Sequence, residues 1–172
     1  MKNLNHAVST EDMVQIVSTV AFISEAHKGQ KYGNMPYMFH PMEVATEVNS
    51  ASTDEYIAAL LHDVVEDTEY TEDNLRERYN DAVVDMVMLL TLKDPDYRAN
   101  IQRIIDSGNV GAMKVKLADN RVNRRGDKSM FKPAKAQKLN DRYDMSIEML
   151  TVELERKELQ AKDLLANGRK KP

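Results

Sequence analysis

The 172-residue sequence contains no cysteine and no tryptophan, and only three of its residues are phenylalanine. Without thiols there is neither a disulfide framework nor a thiolate metal site, so any metal must be held by histidine and carboxylate groups. The alternating apolar–polar runs that mark half-buried strands are nearly absent, and glycine and proline are sparse at six and five residues, so the chain reads as helical throughout. No run of about 18 uncharged apolar residues occurs, and the opening MKNLNHAVSTED has no continuous apolar stretch, which excludes a visible membrane span or signal peptide. We therefore expect a soluble, cytoplasmic protein. Its length supports one real core rather than two large ones, and we expect a single domain over residues 1–172.

What is present is charge, unevenly placed. From Glu43 to Asp85 there are 13 acidic residues against two basic ones, Arg76 and Arg78. From Lys114 to Lys138 there are nine basic residues against Asp119 and Asp127, a local charge of +7 within a net charge of −4. An acidic half beside a basic half suits a metal site next to a phosphate-rich ligand. The net acidic chain, poor in aromatics, lacks the basic stripe and stacking platform of a nucleic-acid binder.

The apolar positions Met13, Ile16, Val17, Val20 and Ile23 recur at helical spacing behind a cap at Ser9 or Thr10, predicting a helix to about Lys28. GQKYGNMPY then reads as a loop, and His40 ahead of Pro41 opens a second helix. Ser52 with Glu55 predicts a capping box for the helix that carries ALLHDVVEDT. Further helices are expected after Thr71, through Val83–Leu90, from Asp94-Pro95 to Ser107-Gly108, over about 110–123, and from about Pro133 to 166. Arg124 to Lys132 reads as a mobile basic loop and the GRKKP tail as frayed. The expected fold class is an all-α compact bundle.

ALLHDVVEDT is the informative stretch. Wound as a helix, Ile57, Leu60, Leu61, Val64 and Val65 form an apolar arc, and His62, Asp63, Glu66 and Asp67 fill most of the opposite one. The carboxylates repel one another at i,i+3 and i,i+4 with no local cation to relieve them, each pair costing about 0.2–0.5 kcal/mol. A divalent cation would supply the missing charge, with His62 and Asp63 offering nitrogen and oxygen ligands. His40 before Pro41, and Asp119 within the helical run VKLADNRVN, are unremarkable singly. Together the pattern His…His-Asp…Asp can close around one ion, and its ligand chemistry favours Mn²⁺, Fe²⁺ or Mg²⁺ over structural Zn²⁺.

AHKGQKYGNMPYMFHP, ALLHDVVEDTEYT, LLTLKDPDY and VKLADNRVN together resemble the HD-superfamily phosphohydrolases, and within them the hydrolase domain of the RelA/SpoT enzymes and their stand-alone small alarmone hydrolases. The resemblance covers roughly residues 20 to 125. It implies a compact all-α HD-domain bundle in which His40, His62, Asp63 and Asp119 bind one Mn²⁺ per chain. It implies that Glu66 and Asp67 act on the attacking water, and that Asn123 lines the nucleotide site. The implied reaction removes pyrophosphate from the 3′ position of guanosine tetra- or pentaphosphate, leaving GDP or GTP. Where that family has an Arg-Lys pair, a loop one residue shorter here has Lys31 and Tyr32, and KLADRLHN becomes KLADNRVN. We expect Lys31, Tyr32 and, from the closing helix, Lys138, Arg142 and Tyr143 to contact substrate, with the basic segment Lys114–Lys138 positioning phosphates. The alternatives are an HD phosphohydrolase for another nucleotide, such as NADPH or a 3′-phosphorylated nucleotide, and a catalytically silent alarmone-binding module. Whether the chain forms a homo-oligomer is not readable from its sequence.

Overall fold

The structure, a computed structural model, describes residues 9–48, 50 and 52–168. The basic tail beyond Gly168, read as frayed, lies outside them. Helix α1 (Thr10–Ala26) starts where Ser9 accepts from the Asp12 N–H and Asp12 reaches back to Ser9, a reciprocal cap that satisfies two otherwise orphaned donors. The expected loop after it contains a two-rung antiparallel ribbon, β1 (Lys31–Tyr32) and β2 (Met35–Pro36), with Tyr32 opposite Met35. Strands of two residues are too short to show any alternation in sequence. The remaining elements are α2 (Phe39–Val48), α3 (Thr53–Leu61), α4 (Val64–Asp67), α5 (Glu72–Arg76), α6 (Asp81–Leu90), α7 (Tyr97–Asp106), α8 (Val110–Arg125) and α9 (Pro133–Gly168).

The core is built around α3, whose Ile57, Ala58, Ala59, Leu60 and Leu61 are all fully buried. Helices α1, α2, α6 and α8 pack on it. Five consecutive apolar residues span every side of a helix, so this half of α3 must be surrounded in this way. Helix α8 is nearly as enclosed, lying against α2, α3, α6, α7 and α9. Gly111 permits the approach to α6, since a Cβ there would stand 2.5 Å from the Met86 sulfur. Leu150 on α9 reaches the same core, whereas every described side chain from Glu158 onward is exposed.

Three local expectations are revised. Ser52 does cap α3 by accepting from the Glu55 N–H, but the Glu55 carboxylate turns away to accept from Lys114 Nζ at 3.0 and 3.1 Å, so the capping box is half formed. The segment Arg124–Lys132 is not a free basic loop: α8 runs on to Arg125, and Lys128 Nζ donates to the carbonyls of Asn123, Arg124 and Gly126, tying the helix end down. The stretch holding ALLHDVVEDT is two helices rather than one, with a turn at His62–Asp63.

Candidate metal centre and its cavity

Successive residues of an unbroken helix point about 100° apart, so neighbours cannot aim at one point. The turn between α3 and α4 removes that restriction. His62 caps α3, Asp63 precedes α4 with φ −102° and ψ −3°, and His62 Nε2 comes to 3.0 Å from Asp63 Oδ2. Helix α2 contributes His40, whose Nε2 is 3.7 Å from Asp63 Oδ2 and 3.4 Å from Asp119 Oδ1. Helix α8 contributes Asp119, 3.7 Å from His62 Nε2. Ligand atoms of His40, His62 and Asp119, all buried, lie within 4.8 Å of one another, and Asp63 stands beside them as a fourth.

The donor set fits a divalent cation. His62 Nδ1 lies 2.8 Å from the Ala59 carbonyl, which can only accept, so Nδ1 carries a proton and a neutral ring directs its Nε2 lone pair at the carboxylates. That buried Nε2 has no hydrogen-bond partner. Left to itself the arrangement forces a proton onto the ring: burial lowers the His62 pKa, but Asp63 and Asp119 outweigh it and push the value up to about 10. A metal ion between the same groups relieves the lone-pair and carboxylate repulsion at once.

The ligands are themselves held. Burial disfavours charge on Asp119, yet Lys116, donating to Oδ2 at 2.9 Å, holds the carboxyl well below the usual carboxylate range. Asn123 Nδ2 donates to the other oxygen at 2.5 Å. Tyr37 donates its phenol proton to Asp63 Oδ2 at 2.5 Å and has Asp67 Oδ2 at 3.4 Å; burial and these two acids drive the phenol pKa far up. Behind Tyr37 stands the buried His27 ring, at 4.7 Å between centroids, and Gln30 ties His27 to the Asp67 carbonyl. Such outer partners fix ligand orientation as much as the ligands do.

The cluster opens onto a cavity of about 190 Å³ whose wall includes Glu66, Leu92, Tyr97, Lys116, Arg142 and Tyr143. A larger one of about 540 Å³ shares Tyr32, Asn123 and Tyr143 with it and adds Lys31, Phe131 and Lys135. Glu66 thus faces the site, its Oε2 accepting from the Leu92 N–H at 3.1 Å, with its pKa raised by partial burial. Asp67, expected to overhang the metal equally, is not on that wall and meets the cluster through Tyr37. As neighbours on α4 the two acids point about 100° apart. Lys31, Tyr32, Asn123, Arg142 and Tyr143 are brought to the cavities, whereas Lys138 is exposed on α9 and lines neither. Much of the basic segment is also committed elsewhere: Lys114 to Glu55, Arg124 to Asp144, Arg125 to Glu43 and Glu47. Sequence reasoning missed Tyr37 and Tyr97, and took Lys116 only as one cation of the basic segment. Tyr37 and Lys116 lay inside the quoted PYMFHP and VKLADN segments, each three residues before a candidate ligand.

Residues 19–95 match the family model described as HD domain, and His40, His62 and Asp63 fall within them. That match covers less than half of the chain. A guanosine-3′,5′-bis(diphosphate) 3′-pyrophosphohydrolase of Haemophilus influenzae is 42% identical over 66 residues, covering 37% of this chain and 10% of the relative. A GTP pyrophosphokinase of Streptomyces coelicolor is 36% identical over 90 residues, 51% of this chain and 11% of the relative. The bifunctional (p)ppGpp synthase/hydrolase SpoT of Escherichia coli is 31% identical over 93 residues, 50% of this chain and 13% of the relative. The chain thus spans about a tenth of the length of the curated relatives it matches. The fold of this chain is that of a solved metazoan orthologue of SpoT, described as hydrolysing ppGpp, with a TM-score of 0.68 at 21% identity over 86% of this chain and 95% of that one. No helix among the described residues is long and apolar enough to cross a membrane.

Proposed function

We propose that this chain is a Mn²⁺-dependent HD-domain hydrolase that removes pyrophosphate from the 3′ position of guanosine tetra- or pentaphosphate, residues 1–172 acting as one domain. The observation that carries the reading is a buried His40–His62–Asp119 cluster with Asp63 beside it and a carboxylate, Glu66, on the same cavity wall. The names of the relatives point to both synthesis and hydrolysis of the same nucleotides. Glu66 favours hydrolysis, because a water-activating reaction needs a base next to the ion that is not consumed as a ligand.

His40, His62, Asp63 and Asp119 would hold the ion. When bound, it supplies Lewis-acid polarisation of a phosphoryl oxygen and eases ionisation of water. Glu66, kept in place by the Leu92 N–H, accepts the proton of the attacking water. Tyr37 orients Asp63 and links Asp67 to the cluster, so Asp67 exchanges protons at the edge of the site. The larger cavity is within the range of pockets that take nucleotide-sized ligands, roughly 300–1,000 Å³. Its Tyr32 and Tyr143 rings offer stacking faces for a base, and Lys31 and Lys135 offer charge to phosphates.

Incubating the protein with Mn²⁺ and a panel of ppGpp, pppGpp, NADPH and 3′-phosphorylated nucleotides, then separating the products, tests the reading. Pyrophosphate and GDP from ppGpp are the expected result. Release of phosphate from NADPH alone would replace it with the neighbouring phosphatase activity, and tight ppGpp binding without turnover would leave a binding module.

A further inference from the structure

Lys116 is nearly completely buried, yet its ammonium makes a single hydrogen bond, to Asp119 Oδ2 at 2.9 Å. An ammonium has three donors, so two have no protein acceptor among the described residues. Burying them unpaired is costly. Holding Asp119 does not require a charge, since the neutral Asn123 already grips its other oxygen. A divalent ion would be balanced by Asp63 and Asp119, and Lys116 lies on the wall of the small cavity, where Glu66 is the other acid.

A second cation meets it there. Arg142 from α9 lies with its Cζ 4.8 Å from the centre of the Tyr97 ring, and Lys116 Nζ lies 5.7 Å from the same centre. Tyr97 is fixed by donating its phenol proton to Asn120 Oδ1 at 2.5 Å, and Asn120 in turn donates to Ser146 on α9 at 2.7 Å. The guanidinium of Arg142 has no carboxylate partner among the described residues, unlike Arg124 and Arg125. One aromatic ring therefore seats two cations on the cavity wall, each with unused donors.

We propose that Lys116 and Arg142 form a phosphate clamp, contacting the oxygens of the phosphoryl group that enters the cavity beside the metal cluster. Lys116 has two tasks: one N–H orients Asp119 and the others reach the substrate. Arg142 presents its planar fork to a neighbouring oxygen. The clamp rests on the reading that a phosphorylated substrate occupies this cavity, but not on which nucleotide carries the phosphate.

The test uses inorganic phosphate as probe on the metal-loaded protein, with its affinity read from the rise in Tm as phosphate is added. Phosphate should stabilise the wild type, and Lys116→Gln and Arg142→Gln should each weaken its apparent affinity about tenfold or more, the effect of one charge-assisted contact. Metal content is measured alongside. A wild type whose Tm ignores phosphate overturns the clamp, as does a Lys116→Gln protein that loses metal affinity but keeps phosphate affinity, for then Lys116 only positions Asp119. Arg142 makes no hydrogen bond to Asp119 or to the Lys116 and Asn123 that hold it, so Arg142→Gln decides the question if Lys116→Gln does not fold. Loss of phosphate affinity in both variants, with no turnover of ppGpp by the wild type, supports the clamp while overturning the proposed substrate.

Discussion

Replacing Glu66 by glutamine separates chemistry from metal binding at this site. The side chain accepts from the Leu92 N–H at 3.1 Å, and a glutamine carbonyl oxygen can accept the same bond, so the local backbone stays where it is. Glu66 is not among the side chains whose atoms converge on the cluster, so the ion stays as well. What is lost is a base on the cavity wall. General acid–base assistance is worth about 10²–10⁴-fold, or roughly 3–5 kcal/mol of barrier at 1.36 kcal/mol per decade. Turnover of ppGpp at saturating Mn²⁺ should fall at least about a hundredfold in kcat, with KM, metal content and Tm unchanged. Glu66→Ala should match that loss and also release Leu92, a stability cost of about 0.5–1.5 kcal/mol visible in Tm. A Glu66→Gln protein that loses its metal would show the residue to be a ligand. One that keeps full activity would reduce it to solvated surface.

Asp67→Asn should lower kcat about a hundredfold at unchanged metal content, and Tyr37→Phe, which cuts the link to both acids, should reproduce part of that loss in the same turnover assay. Tyr37→Phe should also weaken Mn²⁺ binding about 10–100-fold, the usual cost of losing a ligand's outer partner, as measured by metal titration. His62→Ala and Asp63→Ala should lose metal and activity together by elemental analysis and turnover, and chelation of the wild type should lower Tm reversibly. Gly108, which ends α7 with φ +72°, should cost about 1–2 kcal/mol when changed to alanine, because a Cβ is disfavoured there; chemical denaturation reads this directly.

The helical character and most caps were legible because each depends on near neighbours, whereas the residues of the candidate metal cluster stand far apart in the chain and were singled out by their motifs. Ser9, Thr71 and Gly108 act on their own helix ends, and Ile57, Leu60 and Leu61 announce a buried face by spacing alone. The break at His62–Asp63 was not legible, since no glycine or proline marks it and the apolar arc runs on through Val64. Glu66 and Asp67, treated as equivalent in the sequence, are neighbours on α4 that point about 100° apart and so meet different surroundings. Glu55 and Lys114 lie far apart in the chain, so its departure from the capping box could not be seen locally. The basic segment misled in the same way: its excess charge is real, but Glu43, Glu47, Glu55 and Asp144 answer much of it from other helices. Lys138 lies in the right segment, one turn from Lys135 and Arg142, yet its side chain is exposed and lines neither cavity.

The turn between α3 and α4 also sets what the His62–Asp63 pair can tolerate. Two adjacent residues converge on one point only because the helical phase is reset between them, so the pair behaves as a hinge-defined unit rather than as two positions on a surface. Transplanting the dipeptide into an uninterrupted helix would keep both ligands and lose their meeting point. Inserting one residue after Asp63 would carry Glu66 and Asp67 about 100° around α4, turning Glu66 off the cavity wall while His62 and Asp63 stayed in place. The spacing from His62 to Asp67 is thus a mechanical constraint on the backbone, added to the chemical one on the side chains, and a change in length here should be tolerated no better than loss of a ligand.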